Sequence, residues 1–248
     1  MNIIVCISSV PDTTSKINFI DNGSTFESSG VQFVINPYDE FGLTKAMMIK
    51  EKTGGKVTAI SVGNATIEPI IRKTLAIGAD EAVRIDMDPQ DSYSTAVEIA
   101  NYLHENPADL IITGRESIDY NGGAVGGMLA ELLNLPFINA CNGLSLSSGT
   151  VQMTREIDGG KEHVSAELPL VIGGQKGLVE ESELRIPNMR GIMQARTKPL
   201  KVIEPCKNEN LTASINFEKP AEKEDCILVD PNDVAKLVSF LHKEAKII

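Results

Sequence analysis

Residues 109–133, DLIITGRESIDYNGGAVGGMLAELL, pass from a buried-strand pattern to a helix pattern through a glycine-rich segment. That glycine-rich segment, residues 114–127, contains five glycines. Glycines let backbone N–H groups approach a ligand closely, and the start of the following helix adds the positive end of its dipole. Both features suit a phosphate group, so the junction predicts a nucleotide-binding site.

The glycine-rich segment differs from two familiar phosphate-binding patterns. It lacks the lysine and the following Ser or Thr of a P-loop, and it is not the Gly-x-Gly-x-x-Gly of dinucleotide enzymes. It therefore predicts neither ATP hydrolysis nor hydride transfer.

Strand and helix patterns alternate through the N-terminal half of the chain. The buried-strand patterns lie at residues 2–7, 56–62, 81–85 and 109–113. This alternation predicts an α/β fold of the Rossmann-like, doubly wound type, with a mostly parallel sheet covered by helices on both faces. Ligands of such sheets bind beyond the carboxyl ends of the strands, where the strand order reverses. We therefore expect the strand exits at residues 8–12 and 62–64 to meet the glycine-rich segment.

The C-terminal half has a different pattern. Residues 151–166 predict a β-hairpin, because Asp158-Gly159-Gly160 supplies the positive φ angles of a tight turn. We assign residues 1–205 to one nucleotide-binding α/β domain and residues 206–248 to an extended polar arm. The arm ends in a helix that we expect to begin at Asp230-Pro231. A helix on such an arm packs either on its own domain or on another chain.

Composition excludes several classes of function. The net charge of −11 and the absence of Trp argue against nucleic acid as a partner. No apolar run approaches the ~20 residues that span a bilayer, and the N-terminus has no basic region before its apolar stretch. We expect a cytoplasmic protein that is not membrane-embedded.

Four scattered cysteines and three histidines predict neither a metal site nor a disulfide framework. No nucleophile and base are paired in the sequence, so no independent catalytic site is predicted.

Taken in order, several motifs resemble the beta subunit of electron transfer flavoprotein, over essentially the whole chain. They lie at residues 10–12, 36–39, 78–80, 114–119, 155–160 and 192–195. The hairpin carries the most specific of these signatures. Its matching positions are Arg155, Asp158, Gly159, Gly160, Glu162, Val164 and Pro169, and its departures are Met153 and Gly173.

The resemblance implies a heterodimeric electron carrier. The alpha subunit would hold most of the FAD, and this subunit would hold an adenine nucleotide, usually AMP. Electrons would pass from acyl-CoA dehydrogenases or similar flavoenzymes of fatty acid oxidation to the flavin, and then to a quinone reductase or another acceptor. The protein's part in such chemistry is to position and tune a cofactor.

The same resemblance implies a set of cofactor-binding residues. They are Cys6, Asn36, Pro37, Tyr38, Asp39, Val62, Gly114, Arg115, Glu116, Ser117, Ile118, Asp119, Tyr120, Asn121, Gly122, Gly123, Ala124, Val125 and Gly126. Cys6 and Val62 would contribute only packing and backbone contacts.

Four of these side chains have an alternative interpretation. Asn36 and Asp39 either hydrogen-bond the ribose or adenine, or cap the helix that Pro37 begins. Asp119 binds a ribose hydroxyl or orients the loop. Arg115 neutralises phosphate or forms a surface ion pair.

The nucleotide itself is left open by the sequence. AMP-binding members have Asn-Gln-Thr-Gly-Gln where this chain has Gly-Ala-Val-Gly-Gly at residues 123–127, so backbone N–H groups must carry more of the binding. Members with a second, electron-bifurcating FAD in this subunit tend to have Thr-Ala-Gln-Val-Gly. Val125-Gly126 matches the end of that pattern, Gly122 replaces its Thr, and residues 190–193 also resemble the bifurcating type. AMP is slightly favoured by its frequency in the family.

A second implied site is a partner-docking loop at about residues 180–195. Its docking residues would be Met189, Arg190, Ile192 and Met193, with Met189 at the position of the family's leucine anchor. A flexible methionine suits several partners. The alternative is a surface loop with one packed methionine.

Two other classes of function compete with the carrier. One is a stand-alone adenine-nucleotide-binding or hydrolysing module, of the universal-stress or ATP-pyrophosphatase type. Such modules normally carry Ser, Thr or basic side chains at the glycine turn. The other is a structural scaffold that has lost its nucleotide.

Overall fold

The centre of the molecule is a nine-stranded sheet. The structure is a computed structural model that describes residues 1–147, 149–222 and 225–248. Its strands, numbered in chain order, are β1 (Asn2–Cys6), β2 (Ser9–Pro11), β3 (Phe19–Ile20), β4 (Thr25–Phe26), β5 (Phe33–Ile35), β6 (Lys56–Val62), β7 (Glu81–Ile85), β8 (Leu110–Gly114), β9 (Phe137–Ser147), β10 (Thr150–Ile157), β11 (Gly160–Glu167), β12 (Leu170–Gly174) and β13 (Leu200–Ile203). Its α-helices are α1 (Pro37–Thr53), α2 (Glu68–Ile77), α3 (Ser92–Glu105), α4 (Val125–Leu133), α5 (Met189–Ala195) and α6 (Val234–Ser239).

The order of strands in the sheet is β11-β10-β9-β12-β8-β1-β6-β7-β13. All neighbours from β9 to β13 are parallel, whereas β10 and β11 pair antiparallel. The chain starts at β1 in the middle, builds outward through β6 and β7, and then returns to the other side of β1 with β8. The order therefore reverses between β1 and β8, and the predicted doubly wound, mostly parallel sheet is confirmed.

Helices cover both faces of the sheet. On one face, Leu43 of α1 and Leu75 of α2 belong to the same buried cluster as Ile112 of β8. On the other face, Leu129 of α4 shares a second buried cluster with Ile111 of the same strand. Successive residues of β8 thus enter opposite cores, which is why Leu110, Ile111 and Ile112 are all apolar.

The predicted hairpin is confirmed as β10 and β11. Gly159 lies in its turn with φ +84, a conformation that glycine adopts without steric cost. The glycine-rich segment is shorter as a loop than its sequence suggests. Gly114 ends β8, and α4 already begins at Val125, so Gly126 and Gly127 lie in the first turn of that helix.

The prediction for the last helix is wrong at its start. Its first residue is Val234 rather than a residue next to Asp230-Pro231, because the side chain of Asp233 caps the helix by accepting a hydrogen bond from Lys236 N at 3.0 Å. Among the described residues, no helix is both long and apolar enough to cross a membrane.

Candidate functional site

A cavity of about 450 Å³ opens at the carboxyl edge of the sheet. Its lining includes the exits of β1, β6 and β8, together with the first residues of α4. This is where the strand order reverses, the position at which doubly wound sheets bind ligands. Its volume lies in the range usual for small-molecule sites.

Most of the residues predicted to bind a cofactor line this cavity. They are Cys6, Asn36, Asp39, Val62, Gly114, Glu116, Ser117, Asp119, Tyr120, Gly122, Gly123, Val125 and Gly126. The others do not line it: Pro37, Tyr38, Arg115, Ile118, Asn121 and Ala124. The excluded side chains have structural contacts instead. The hydroxyl of Tyr38 donates to Glu116 Oε1 at 3.3 Å, and Asn121 adopts a left-handed φ of +50 in the turn of the glycine-rich segment.

The side chains of Asn36 and Asp39 connect the elements around the cavity. Asn36 Nδ2 donates to Glu116 O at 2.9 Å and to Asp39 Oδ1 at 3.0 Å, and Asn36 Oδ1 accepts from Ile118 N at 3.3 Å. Asp39 Oδ2 accepts from Ser8 N at 2.7 Å. The side chain of Asn36 makes no capping hydrogen bond to α1, so the helix-capping interpretation is wrong for that residue. The pair instead joins the exit of β1 to the glycine-rich segment.

Burial changes the acidity of this pair's carboxyl group. Desolvation raises the pKa of Asp39 to about 7, although the N–H groups of Ser8 and Gly114 and the amide of Asn36 favour the charged form. Burial, and then the nearby Asp39, also raise the pKa of the Cys6 thiol, so Cys6 is a packed, uncharged wall of the cavity.

Gly114 has no room for a side chain. A Cβ there would collide with Asp39 Oδ1 and would lie 3.0 Å from Asn36 Nδ2. The absence of a side chain thus allows the end of β8 to pass against the Asn36–Asp39 pair. The glycine is required by packing as well as by access to the cavity.

The N-terminus of α4 is open toward the cavity. The N-cap residue, Ala124, offers no side-chain acceptor, and Val125 and Gly126 line the cavity. The first N–H groups of a helix have no partners within the helix. Their free donors and the helix dipole favour an anion. Ser9 Oγ, which is buried without a hydrogen-bond partner, is a further polar atom of a lining residue.

Arg115 does not supply positive charge to the cavity. Its Nη1 donates to Gln175 Oε1 at 3.0 Å, and its Nε lies 3.8 Å from Glu116 Oε2. The ion-pair alternative for this residue is therefore the one that the structure supports. Among the described lining residues there is no Lys or Arg, and the carboxylates are those of Asp39, Asp88, Asp91, Glu116 and Asp119. Any anion bound here would be held by backbone donors and hydroxyls.

Asp119 lines the cavity and also shapes the loop. Its Oδ1 accepts a hydrogen bond from Tyr120 N at 2.8 Å, whereas its other carboxylate oxygen accepts none from the residues that the structure describes. Both interpretations of Asp119 are therefore compatible with its position.

Three groups of lining residues were not predicted from the sequence, and neither were Ile7, Ser61, Thr66, Ile67 and Thr113. The first follows β7, at residues 88–92, and could have been found because β7 ends at the same sheet edge. The second comprises Thr95 and Ile99 on α3, which carry no sequence signal beyond helical periodicity. The third is Thr212 and Ser214 on the C-terminal arm, which no local pattern connects to the cavity.

The predicted docking residues lie apart from the cavity lining. Met189 begins the short helix α5 and is 76% exposed, and Met193 is 69% exposed. Gly191 packs so closely on α2 that a Cβ would collide with Ala76 O. The two methionines therefore stand on a helix held against the domain, and the packed-methionine alternative does not fit Met189.

Comparisons with known proteins give a consistent result. The model of the electron transfer flavoprotein domain matches residues 24–208. The electron transfer flavoprotein subunit beta of Bacillus subtilis (strain 168) is 36% identical over the full length of both chains. The subunit of the same name from Syntrophomonas wolfei is 29% identical over 100% of this chain and 98% of its own. The acryloyl-CoA reductase electron transfer subunit gamma of Anaerotignum propionicum is 30% identical over 82% of this chain and 78% of its own.

Proposed function

The chain belongs to the family of electron transfer flavoprotein beta subunits, and from this we propose that it is the nucleotide-holding subunit of a heterodimeric electron carrier. The observation that carries the proposal is the cavity between β1 and β8, against the uncapped start of α4. This cavity lies where the strand order reverses, has free backbone N–H donors at the start of α4, and is large enough for a nucleotide.

We propose AMP as the nucleotide in this subunit. The cavity of about 450 Å³ lies in the lower half of the range for small-molecule sites, which favours a mononucleotide over a dinucleotide such as a second FAD. The N–H groups at residues 125–127 would hold the phosphate. The Ser9 hydroxyl, whose oxygen lacks a partner, and Asp119 are candidates for the remaining polar contacts. Asn36 and Asp39 would act mainly by holding the glycine-rich segment in place.

We propose that the partner is an electron transfer flavoprotein alpha subunit, which would hold most of the FAD. The FAD supplies the redox chemistry when bound, and this chain supplies a rigid, nucleotide-filled domain for the partner to assemble on. Donors would be acyl-CoA dehydrogenases or similar flavoenzymes, and the acceptor would be a quinone reductase. The relative named as an electron transfer subunit of acryloyl-CoA reductase supports a donor or acceptor that handles acyl-CoA.

We further propose that the exposed methionines of α5 dock to such flavoenzymes. Apolar side chains exposed together favour protein contact, and methionine adapts to differently shaped partners. Ile192 and Arg190 would border the same contact.

The proposal is tested by co-expressing the chain with its alpha subunit and mixing the purified complex with a reduced acyl-CoA dehydrogenase. We expect a yellow heterodimer whose flavin is reduced by the dehydrogenase. A colourless complex that accepts no electrons would contradict the carrier and support a scaffold. Hydrolysis of ATP by the chain alone would instead support a stand-alone module.

A further inference from the structure

The first part of the C-terminal arm crosses the domain and returns to the nucleotide cavity. We call residues 206–217 the strap. Its far end is fixed where the ring of Phe217 stacks on Phe19, with 5.1 Å between ring centroids, and where Phe217 N donates to Gly23 O at 2.7 Å. Between its ends, Thr212 and Ser214 line the cavity.

The near end of the strap is fixed on a buried carboxylate of α3. Glu98, only 3% exposed, accepts from Cys206 N at 3.0 Å and from Asn208 Nδ2 at 2.7 Å. A buried carboxylate left without hydrogen-bond partners is costly, so these contacts stabilise this end of the strap. The strap is thus held at both ends, and its middle is positioned over the cavity.

A single carboxylate, that of Asp91, holds the middle. Its Oδ2 accepts from Leu211 N at 2.6 Å and from Thr212 N at 2.9 Å. Its Oδ1 has a separate task, because it caps α3 by accepting from Ser94 N at 2.7 Å. Asp91 itself lines the cavity. One side chain therefore joins a helix N-terminus, the strap and the cavity wall.

On the basis of the proposed nucleotide site, we propose that the strap forms one wall of that site and that Asp91 holds it in place. We call the hydrogen bonds from Leu211 N and Thr212 N to Asp91 the latch. The hydroxyls of Thr212 and Ser214 contact the bound nucleotide. The nucleotide exchanges only when the hydrogen bonds from Leu211 N and Thr212 N to Asp91 are broken. The strap adds uncharged donors to a cavity whose described lining has no Lys or Arg. Because the strap enters from the arm, the site is completed by residues more than a hundred positions after α3.

The two tasks of Asp91 can be separated by substitution. Asn caps helices as well as Asp does, so Asp91→Asn preserves the hydrogen bond from Ser94. Its amide nitrogen then faces the N–H donors of Leu211 and Thr212, and these bonds are lost. Leu211→Pro removes one of the same N–H donors from the strap side, leaves the cap untouched and changes no residue that lines the cavity. Asp233→Asn is the matched control, because Asp233 caps α6 by the same geometry and does not line the cavity.

The test uses the purified heterodimer loaded with radiolabelled AMP and measures label release into excess unlabelled AMP. Asp91→Asn should release AMP faster, on the order of tenfold, since it loses two hydrogen bonds to a charged acceptor. Leu211→Pro should act similarly, and the double variant should add little to either change. Asp233→Asn should release at the wild-type rate. In hydrogen exchange, the amide of Thr212 should lose protection in Asp91→Asn and in Leu211→Pro but not in Asp233→Asn.

The outcomes separate the strap from the site itself. A wild-type heterodimer that retains AMP, with latch variants that release it at the wild-type rate, overturns the strap and leaves the proposed function intact. A wild-type heterodimer that binds no adenine nucleotide in this subunit overturns both. Ser214→Ala, which leaves the latch unchanged, should weaken AMP binding several-fold if its hydroxyl contacts the ligand; unchanged affinity would remove that contact.

Discussion

Adjacent glycines in the first turn of α4 are predicted to respond oppositely to alanine. A Cβ on Gly126 would lie 2.7 Å from Thr113 Oγ1 and 3.0 Å from the ring of Phe137. A Cβ on Gly127 would meet the same ring at 3.5 Å, which is ordinary contact. Neither residue has a positive φ. The two substitutions therefore differ in packing, and also in that Gly126 lines the cavity whereas Gly127 does not.

The size of the difference follows from opposing terms. Overpacking a buried contact costs about 1–3 kcal/mol, whereas replacing a helical glycine by alanine gains about 0.5–1 kcal/mol. At Gly126, Thr113 Oγ1 also donates to Ile172 O at 3.2 Å, so its displacement endangers a buried hydrogen bond. We expect Gly126→Ala to destabilise by about 1–2 kcal/mol and Gly127→Ala to be neutral or stabilising by up to about 1 kcal/mol.

The stabilities of Gly126→Ala and Gly127→Ala are compared by thermal unfolding of the purified heterodimer with saturating AMP. A gap of about 2 kcal/mol corresponds to midpoints that differ by about 4–8 °C for a chain of this size. Gly126→Ala should also retain less nucleotide, because it moves the start of α4. Equal midpoints for the two variants, or a higher midpoint for Gly126→Ala, would refute the close packing of α4 on β8.

Three further predictions concern single side chains. The pKa of Asp39 rises from its ordinary 3.8 to about 7 on folding, so the folded state holds this proton more tightly than the unfolded state. The free energy of unfolding should therefore fall as pH rises between those values, by at most about 1.4 kcal/mol per pH unit. Urea unfolding at several pH values should show a flatter profile for Asp39→Asn than for the wild type, and parallel profiles would contradict this. Arg115→Ala should change AMP affinity less than about twofold, since Arg115 binds Gln175 outside the cavity; isothermal titration would expose a larger loss, which would return Arg115 to the phosphate. In stopped-flow mixing, Met189→Ala should slow electron acceptance from the dehydrogenase several-fold without loss of flavin. The control Ile157→Ala removes an exposed apolar side chain from the hairpin and should leave the rate unchanged. Equal rates for both variants would argue against docking at α5.

Much of the fold follows from local sequence patterns. The strands β1, β6, β7 and β8 are recognisable because they are rich in apolar residues that are buried on both faces, and the helices between them because their apolar residues recur at helical spacing. β9 was not predicted. Its sequence, FINACNGLSLS, contains an Asn-Gly pair that is typical of turns, and a β-bulge at Ala140, with φ +55, interrupts its alternation. β13 was missed because four residues at the sheet edge carry too weak a pattern.

From the sequence, only the part of the candidate site that lies at the ends of strands could be predicted. Topology brings the glycine-rich segment, Cys6 and Val62 to one edge, and that part was foreseeable. The roles of Asn36 and Asp39 were not, because each also bonds a distant residue, Glu116 in the glycine-rich segment or Ser8 after β1. Thr212 was also beyond reach, since its backbone N–H reaches Asp91 from a distant part of the chain and leaves no side-chain signature.

The proposed function depends above all on AMP occupying the cavity between β1 and β8. The most direct test is to denature the purified heterodimer and to count the released adenine nucleotides by chromatography. The proposed AMP site predicts one AMP and one FAD per heterodimer. Two FAD and no AMP, or a single FAD with no second nucleotide, would contradict it.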